Sequence, residues 1–506
     1  MEPVVWFADL KRTDTDIAGG KGANLGELVS GGFPVPPGFV VTANAYLASM
    51  EAAHVRNDLR GDPTEPAGHP EEAAAKATEL QVLVRKAGLH PEVHEALTAA
   101  YTELGRRIGV TAPRVAVRSS ATSEDAADTS FAGMNRTFTN VEGIEAVGAA
   151  VVEAWASLFA ERVLVYRGAH RVTAEPAIAV VVQAMVPAAT SGVAFTADPV
   201  TGDRSRIVIE AAFGQGEVVV GGRVEPDTYT VAKSPLQIVD ERIGTKSHKI
   251  VAGVDGDVRI DLSREEGAQR VLRPAAVLDV ARLALNVEAH YGEPMDIEWC
   301  FDDPGSLAIV QARPITALAS APPAPATSTG AVLLRGLGAS PGVASGVARV
   351  LDRPDEGGAL LAGEVLVAPM TNPDWLPTLR RAAAIVTDGG GMTCHAAIVS
   401  RELGVPCVVG ARTATTALHT GDLITVDGAA GTVTAGRQAP VAAARARTEA
   451  PIERTPPPAT GTKLYVNLAL ASNAARAAAL DVDGVGLVRA EFMLTEALQG
   501  RHPRQV

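Results

Sequence analysis

Asp388-Gly-Gly-Gly-Met-Thr-Cys-His395 runs into Ala-Ala-Ile-Val-Ser-Arg-Glu-Leu-Gly404, and His395 is the residue of this stretch with the widest chemistry. Three glycines allow a tight turn, which sets His395 at or near the N-terminus of a helix that Gly404 closes as its C-cap. Free N–H groups and the positive end of the helix dipole favour a phosphate there. From these residues His395 reads as exposed on a loop, near a neutral pKa and nucleophilic through one ring nitrogen. Two other readings stand beside it. His395 could merely cap the helix, or Cys394 could be the nucleophile, its pKa lowered by the helix end.

A second constellation follows from hairpin geometry. Asp296-Ile-Glu298-Trp-Cys-Phe and Leu307-Ala-Ile-Val-Gln311-Ala-Arg313 flank an Asp-Asp-Pro-Gly turn. A register centred between Pro304 and Gly305 sets Glu298 opposite Gln311 and Asp296 opposite Arg313 on one face, with Ile297, Trp299, Val310 and Ala312 on the other. Two carboxylates, an amide oxygen and a guanidinium suit Mg²⁺ bound through oxygens with phosphate beside it. The plainer alternative is a solvated face with a cross-strand ion pair. Lys21 in Gly19-Gly20-Lys21-Gly22, and Arg118 at the end of Val115-Ala-Val-Arg118, are cations delivered from a glycine turn and a strand end, as phosphates are held. Neither has the P-loop spacing, which excludes a Walker-type site.

The elements that must position these residues fall into three blocks. Ser320 to Gly330 and Ala450 to Gly461 are rich in Pro, Ala and small polar residues and read as extended linkers. Before them lies a mixed α+β region, with a helical run after GGKGANLGEL, an alanine-rich helical region from Glu71 to Gly109, and strands at Val115 to Arg118, Ile178 to Met185 and Ile207 to Ile209. The middle block reads as strands at Gly346 to Leu351 and Glu364 to Ala368, a helix from Trp375 to Ala382, and then a βαβ unit around the glycine loop. The last block reads as strand, helix from Asn473 to Leu480, strand and helical start. Two strands cannot bury both faces of a sheet, so more chain is expected after Val506.

A chain of 506 residues calls for two to four domains. The net charge of −13 and the lack of a long Lys/Arg run argue against nucleic acid as a partner. The start lacks a basic segment followed by an apolar one, and the longest apolar stretch, Ala177 to Ala189, is too short to span a bilayer, so a cytoplasmic location without membrane contact is expected. Three cysteines, an odd count with no CxxC pair, are expected as free thiols.

Taken in order, GGKGANLGEL, VAVRSSATSED, SFAG, SGVAFTADPVTG, PMDIEW, IVQARP, TNPDW and GGGMTCHAAIVSRELGVP resemble the family of phosphoenolpyruvate synthase, pyruvate phosphate dikinase and rifampin phosphotransferase. The resemblance covers nearly the whole chain. It implies a multidomain α+β and α/β protein: an ATP-grasp domain over residues 1–319, a linker at 320–330, a swivelling phosphohistidine domain over 331–437, a linker at 438–461, and over 462–506 the start of a (β/α)8 barrel. Carried over by position, ATP would be contacted by Lys21, Arg118, Gly133, Thr137, Gln183, Glu298, Gln311 and Arg313, with Mg²⁺ at Glu298 and Gln311. His395 would be the phosphorylated residue, and Arg489 would contact pyruvate or phosphoenolpyruvate.

Gly484-Val-Gly-Leu-Val-Arg489-Ala-Glu491 and His502-Pro-Arg504 after the histidine block, and Cys394 before the histidine, lean toward phosphoenolpyruvate synthase. The implied reaction converts ATP, pyruvate and water to AMP, phosphoenolpyruvate and phosphate through a pyrophospho- and phosphohistidine. The alternatives are another acceptor, such as rifampin, and a truncated phosphocarrier or regulatory paralogue. Thr393 resembles a site for a regulatory kinase, its plainer role being a hydrogen bond in the loop. Dimerisation would need the complete barrel. Met134-Asn135-Arg136 departs from the family's glutamine and acidic residue before Thr137, and the enolate metal ligands and proton donor are missing from the barrel.

Overall fold

The computed structural model describes residues 2–60, 70–122, 136–161, 163–164, 175–222, 224–253, 256–315, 331–392, 394–437, 465–468 and 484–488. They divide into two compact units, Met1–Val441 and Ala442–Val506.

The run Ile-Ala-Val-Val-Val-Gln-Ala is apolar except for Gln183, and Ile178–Ala184 is accordingly buried on both faces near the middle of a five-stranded sheet. The strand order is Val4–Trp6, Gly38–Val41, Ile178–Ala184, Val115–Ala121, Thr137–Val141. One face packs on the helices Ala43–Ala52, Pro70–Ala87, Pro91–Ile108 and Ile144–Ala156 around Phe39, Val117, Trp155 and Val182. The other packs on helix Thr15–Ser30 through Ala18, Leu25, Val40 and Val181. The alanine-rich region is thus two helices, parted where Gly88 takes φ +62° and Pro91 starts the second.

A six-stranded antiparallel sheet follows, ordered Leu307–Pro314, Met295–Asp302, Ala188–Phe195, Arg206–Phe213, Asp227–Lys233, Leu236–Arg242. Helix Pro274–Tyr291 covers one face through Val277, Ala281 and Ala284 against Ile209, Tyr229, Ile297 and Trp299. The third sheet has eight strands. Its central strands Val343–Val350, Val365–Ala368, Ala384–Thr387 and Cys407–Val409 run parallel, with antiparallel strands outside them. Helix His395–Leu403 lies between Ala384–Thr387 and Cys407–Val409 and ends at Gly404, φ +65°.

The helix expected from Trp375 to Ala382 is shorter. A 3₁₀ turn, Pro373–Trp375, leads into Leu376–Leu379, because Pro377 has no N–H and fits only the first turn of a helix. In the second unit Tyr465–Leu468 pairs parallel with Gly484–Val488. The helix expected from Asn473 to Leu480 and both expected linkers lie outside the described residues. Among the described residues no helix is long and apolar enough to cross a membrane.

Candidate active site

Helix Thr15–Ser30 is kinked at Gly19, whose φ of +66° and ψ of 171° break the helical path. Only glycine fits, since a Cβ there would lie 2.2 Å from the Ser120 carbonyl oxygen. Ser120 Oγ ties the turn to its strand, donating to Ala18 O at 2.8 Å and accepting the Gly22 N–H at 3.2 Å. The half-buried Lys21 is thereby seated beside the strand that carries Arg118 two residues earlier. Arg118 pairs across the sheet with Thr137 and Val181, so Arg118, Thr137 and Gln183 share the face toward helix Thr15–Ser30. Gln183 is buried and donates to Pro36 O at 3.4 Å. Gly133 lies outside the described residues.

The hairpin pairs Glu298 with Gln311 and Asp296 with Arg313, and Arg313 Nε donates to Asp296 at 3.0 Å. The centred register fails beyond that point. A bulge between Glu298 and Trp299 sets Trp299 opposite Ile309, and Val310 is the extra residue rather than a member of the apolar face. Its carbonyl accepts from Arg118 Nη1 at 3.0 Å, while Arg118 Nη2 stands 3.6 Å from Glu298 Oε2. Arg118 therefore joins the five-stranded and six-stranded sheets at the candidate ATP-contacting residues.

Among the described residues no three His, Cys, Asp and Glu side chains converge into a metal cage. One carboxylate with an amide oxygen opposite fits Mg²⁺, which takes few protein ligands and completes its shell with water and phosphate. The Arg118 guanidinium already stands at Glu298 as a cation would.

His395 is the first residue of its helix, where the expectation for its ring is corrected and the alternative at Cys394 loses its basis. His395 is half-buried rather than exposed, and that burial pushes its pKa down to about 4, against a weak opposite pull from Asp374. Cys394 is not activated: burial pushes its thiol up to about 11, so it stays protonated and is no nucleophile. All three cysteines are buried free thiols, as expected. His395 Nδ1 hydrogen-bonds Thr371 Oγ1 at 3.1 Å, and Thr371 is buried. Thr371 opens the TNPDW segment, which matched the family although no role attached to it. Thr393 and Arg489 lie outside the described residues.

The glycine loop is gripped from both sides. Arg401, two turns along the helix, donates to Met392 O at 2.7 Å and to Ala339 O at 3.0 Å. The Met392 N–H donates to Glu210 of the six-stranded sheet, and Met392 itself packs among Val193, Phe195, Val208 and Val219. Gly222 lets the chains approach, since a Cβ there would lie 2.5 Å from Cys394 Cβ. Pairing runs Gln311, Glu298, Val193, Glu210, Thr228, Arg242, one residue from each strand in a single row on one face. Glu298 and Glu210 are two strand spacings apart, about 10 Å. Sequence reasoning missed Glu210, although a carboxylate inside the apolar run Ile207-Val-Ile-Glu210-Ala-Ala is itself a signal.

A model of the pyruvate phosphate dikinase AMP/ATP-binding domain matches residues 15–330, and one of the mobile domain of PEP-utilising enzymes matches residues 360–431. The phosphoenolpyruvate synthase of Aeropyrum pernix is 40% identical over 548 residues, covering 99% of this chain and 67% of that protein. That of Pyrococcus furiosus is 39% identical over 550 residues, with the same coverage of 99% and 67%. That of Deinococcus radiodurans is 37% identical over 526 residues, covering 100% of this chain and 66% of that protein. The chain thus spans about two thirds of the length of these relatives. With one family model matching most of the chain and relatives aligned along nearly all of it, the chain belongs to the family of enzymes that contains phosphoenolpyruvate synthase and pyruvate phosphate dikinase.

Proposed function

We propose that this chain transfers a pyrophosphoryl group from ATP to His395, as the loading half of the conversion of pyruvate to phosphoenolpyruvate. The observation that carries the reading is the hydrogen bond from Met392 N–H to Glu210. It docks the loop before His395 on the sheet face, and in the residue row, of Glu298 and Gln311.

With Nδ1 engaged by Thr371, Nε2 is the nitrogen left to attack. The depressed pKa keeps the ring neutral, hence nucleophilic, at physiological pH. Nε2 attacks the β-phosphorus of ATP and AMP leaves. Water then removes the terminal phosphate, and phosphohistidine remains. Lys21, Arg118 and Arg313 neutralise charge on the phosphates, in a transfer where positioning and electrostatics do most of the work. Glu298 and Gln311 would hold Mg²⁺, which would supply positive charge against that of the phosphates. Thr137, Gln183 and Gly133 complete the nucleotide contacts. The histidine-bearing domain, residues 331–437, then swings from the ATP-grasp domain, residues 1–319, toward pyruvate held with the help of Arg489.

ATP labelled at the β or the γ position tests the reading. Acid-labile, protein-bound label is expected from β-labelled ATP with the wild type and not with His395→Ala. Stable label from the γ position alone would overturn it.

A further inference from the structure

Two carboxylates fasten the histidine-bearing region to the six-stranded sheet, in different ways. Glu210 is fully buried and takes the Met392 N–H. Glu225, with its side chain 6% exposed, is shared by two guanidiniums. Arg242, at the edge of the same sheet, donates to Glu225 Oε1 at 3.0 Å and to Gly410 O at 2.8 Å. Arg412 reaches in from the other side. Its Nε lies 3.2 Å from both Glu225 oxygens, and its Nη2 donates to Oε1 at 3.1 Å and to Ile243 O at 3.0 Å.

Arg412 is also tied to the loop that ends at His395. Its backbone is left-handed, φ +65°, unusual for a residue with a side chain. Its N–H donates to Asp388 O at 2.8 Å, and the Asp388 carboxylate takes the N–H and hydroxyl of Thr415. Asp388 opens the glycine loop. Glu225, Arg412, Asp388 and the loop therefore form one connected chain of contacts.

We infer that Arg412 is a positioning residue whose pairing with Glu225 fastens the glycine loop, and with it His395, onto the sheet face of Glu298 and Gln311. The inference rests on the reading that His395 receives phosphate there. The contact is built to open. The Arg412 side chain is 51% exposed, and on its departure Glu225 keeps Arg242 and the Thr245 N–H at 3.1 Å, so no buried charge is stranded. The Lys246–Asp227 pair nearby, with both side chains 0% exposed, lacks that property. A carrier that docks and leaves in each cycle needs the first kind of contact at its junction and the second kind inside its partner.

The test is amide hydrogen exchange on the full chain without nucleotide, read at Met392, whose acceptor lies across the junction. Arg412→Asn tolerates the left-handed backbone and removes the guanidinium. Exchange at Met392 is expected to rise about tenfold or more, what losing at least one charge-assisted hydrogen bond brings, with Ile178–Ala184 unchanged. Label from β-labelled ATP should fall in parallel, and Arg412→Lys should be intermediate. Unchanged exchange in Arg412→Asn, or undiminished labelling with a released loop, would each overturn the inference. Should the wild type take no label while Met392 responds as stated, the fastening stands and the reading of His395 fails.

Discussion

Lowering the pH from 7 to 5 should leave His395 largely neutral, because burial opposes its protonation. The folded-state pKa is pushed to about 4 from an ordinary 6.5. At pH 5 a group with pKa about 4 is roughly 90% neutral and one with pKa about 6.5 roughly 3% neutral, an about 30-fold difference in reactive imidazole. The primary measurement is an NMR titration of the His395 ring, identified by its loss in His395→Gln. Single-turnover labelling from β-labelled ATP, quenched in alkali to preserve phosphohistidine, accompanies it. ATP itself protonates near pH ~6, as phosphate monoesters do, so the ring titration carries the test. A midpoint at or above pH 6 would mean a hydrated ring and would remove the basis for a buried nucleophile. The stability consequence has a definite sign. The unfolded chain binds the extra proton between pH 6.5 and about 4, so stability falls across that window as pH drops and is unaffected by this group above it.

Glu298→Gln keeps the shape of the row but removes its charge, and labelling of His395 should fall about 100-fold or more. Melting should barely move, since Glu298 is 22% exposed and Arg118 keeps the Val310 carbonyl; labelling within about fivefold of wild type would rule out an electrostatic role at the phosphates. Lys246→Met strands Asp227 in the interior and should cost about 3–5 kcal/mol in denaturant unfolding. A loss below about 1 kcal/mol would show that Gly244 N–H, Val271 N–H and the Tyr229 hydroxyl suffice for that carboxylate. Thr371→Val removes the partner of His395 Nδ1 at nearly constant volume, so ¹⁵N shifts should reveal mixed tautomers and labelling should drop about five- to tenfold. Thr371→Ser should restore both, and tautomers unaltered in Thr371→Val would separate the hydroxyl from ring orientation.

Local rules made part of this site legible. Gly404 as a left-handed cap, the glycine turn after Ala384–Thr387 and the Asp-Pro-Gly hairpin each act over a few residues, and their signals survive in sequence. The bulge at Val310 left none, because one inserted residue looks like any other until a partner strand is present. His395 burial and the high pKa of Cys394 were illegible for a related reason. Desolvation is the summed effect of neighbours distant in sequence, such as Thr371 and Gly222, and an isolated window implies water where the fold supplies protein. Arg401 and Arg412 carry no signal in the sequence on the same ground, and only the packed chains reveal that each ends on a backbone carbonyl.

The bulge also explains how a hairpin can serve two sheets at once. Pairing from Met295–Asp302 to Ala188–Phe195, and on to Arg206–Phe213, runs unshifted through Glu298, Val193 and Glu210, so the spacing between the candidate metal carboxylate and the docking carboxylate is set by strand geometry alone. A slip of one residue there would turn both to the opposite face, under helix Pro274–Tyr291. The irregularity is confined to the outer strand, where it costs the row nothing: Gln311 still faces Glu298, and the extra residue turns its carbonyl out of the ladder. That carbonyl is the one Arg118 takes. A regular hairpin would spend the Val310 carbonyl within the hairpin itself, and Arg118 would have only the Glu298 carboxylate, the group proposed to hold a cation.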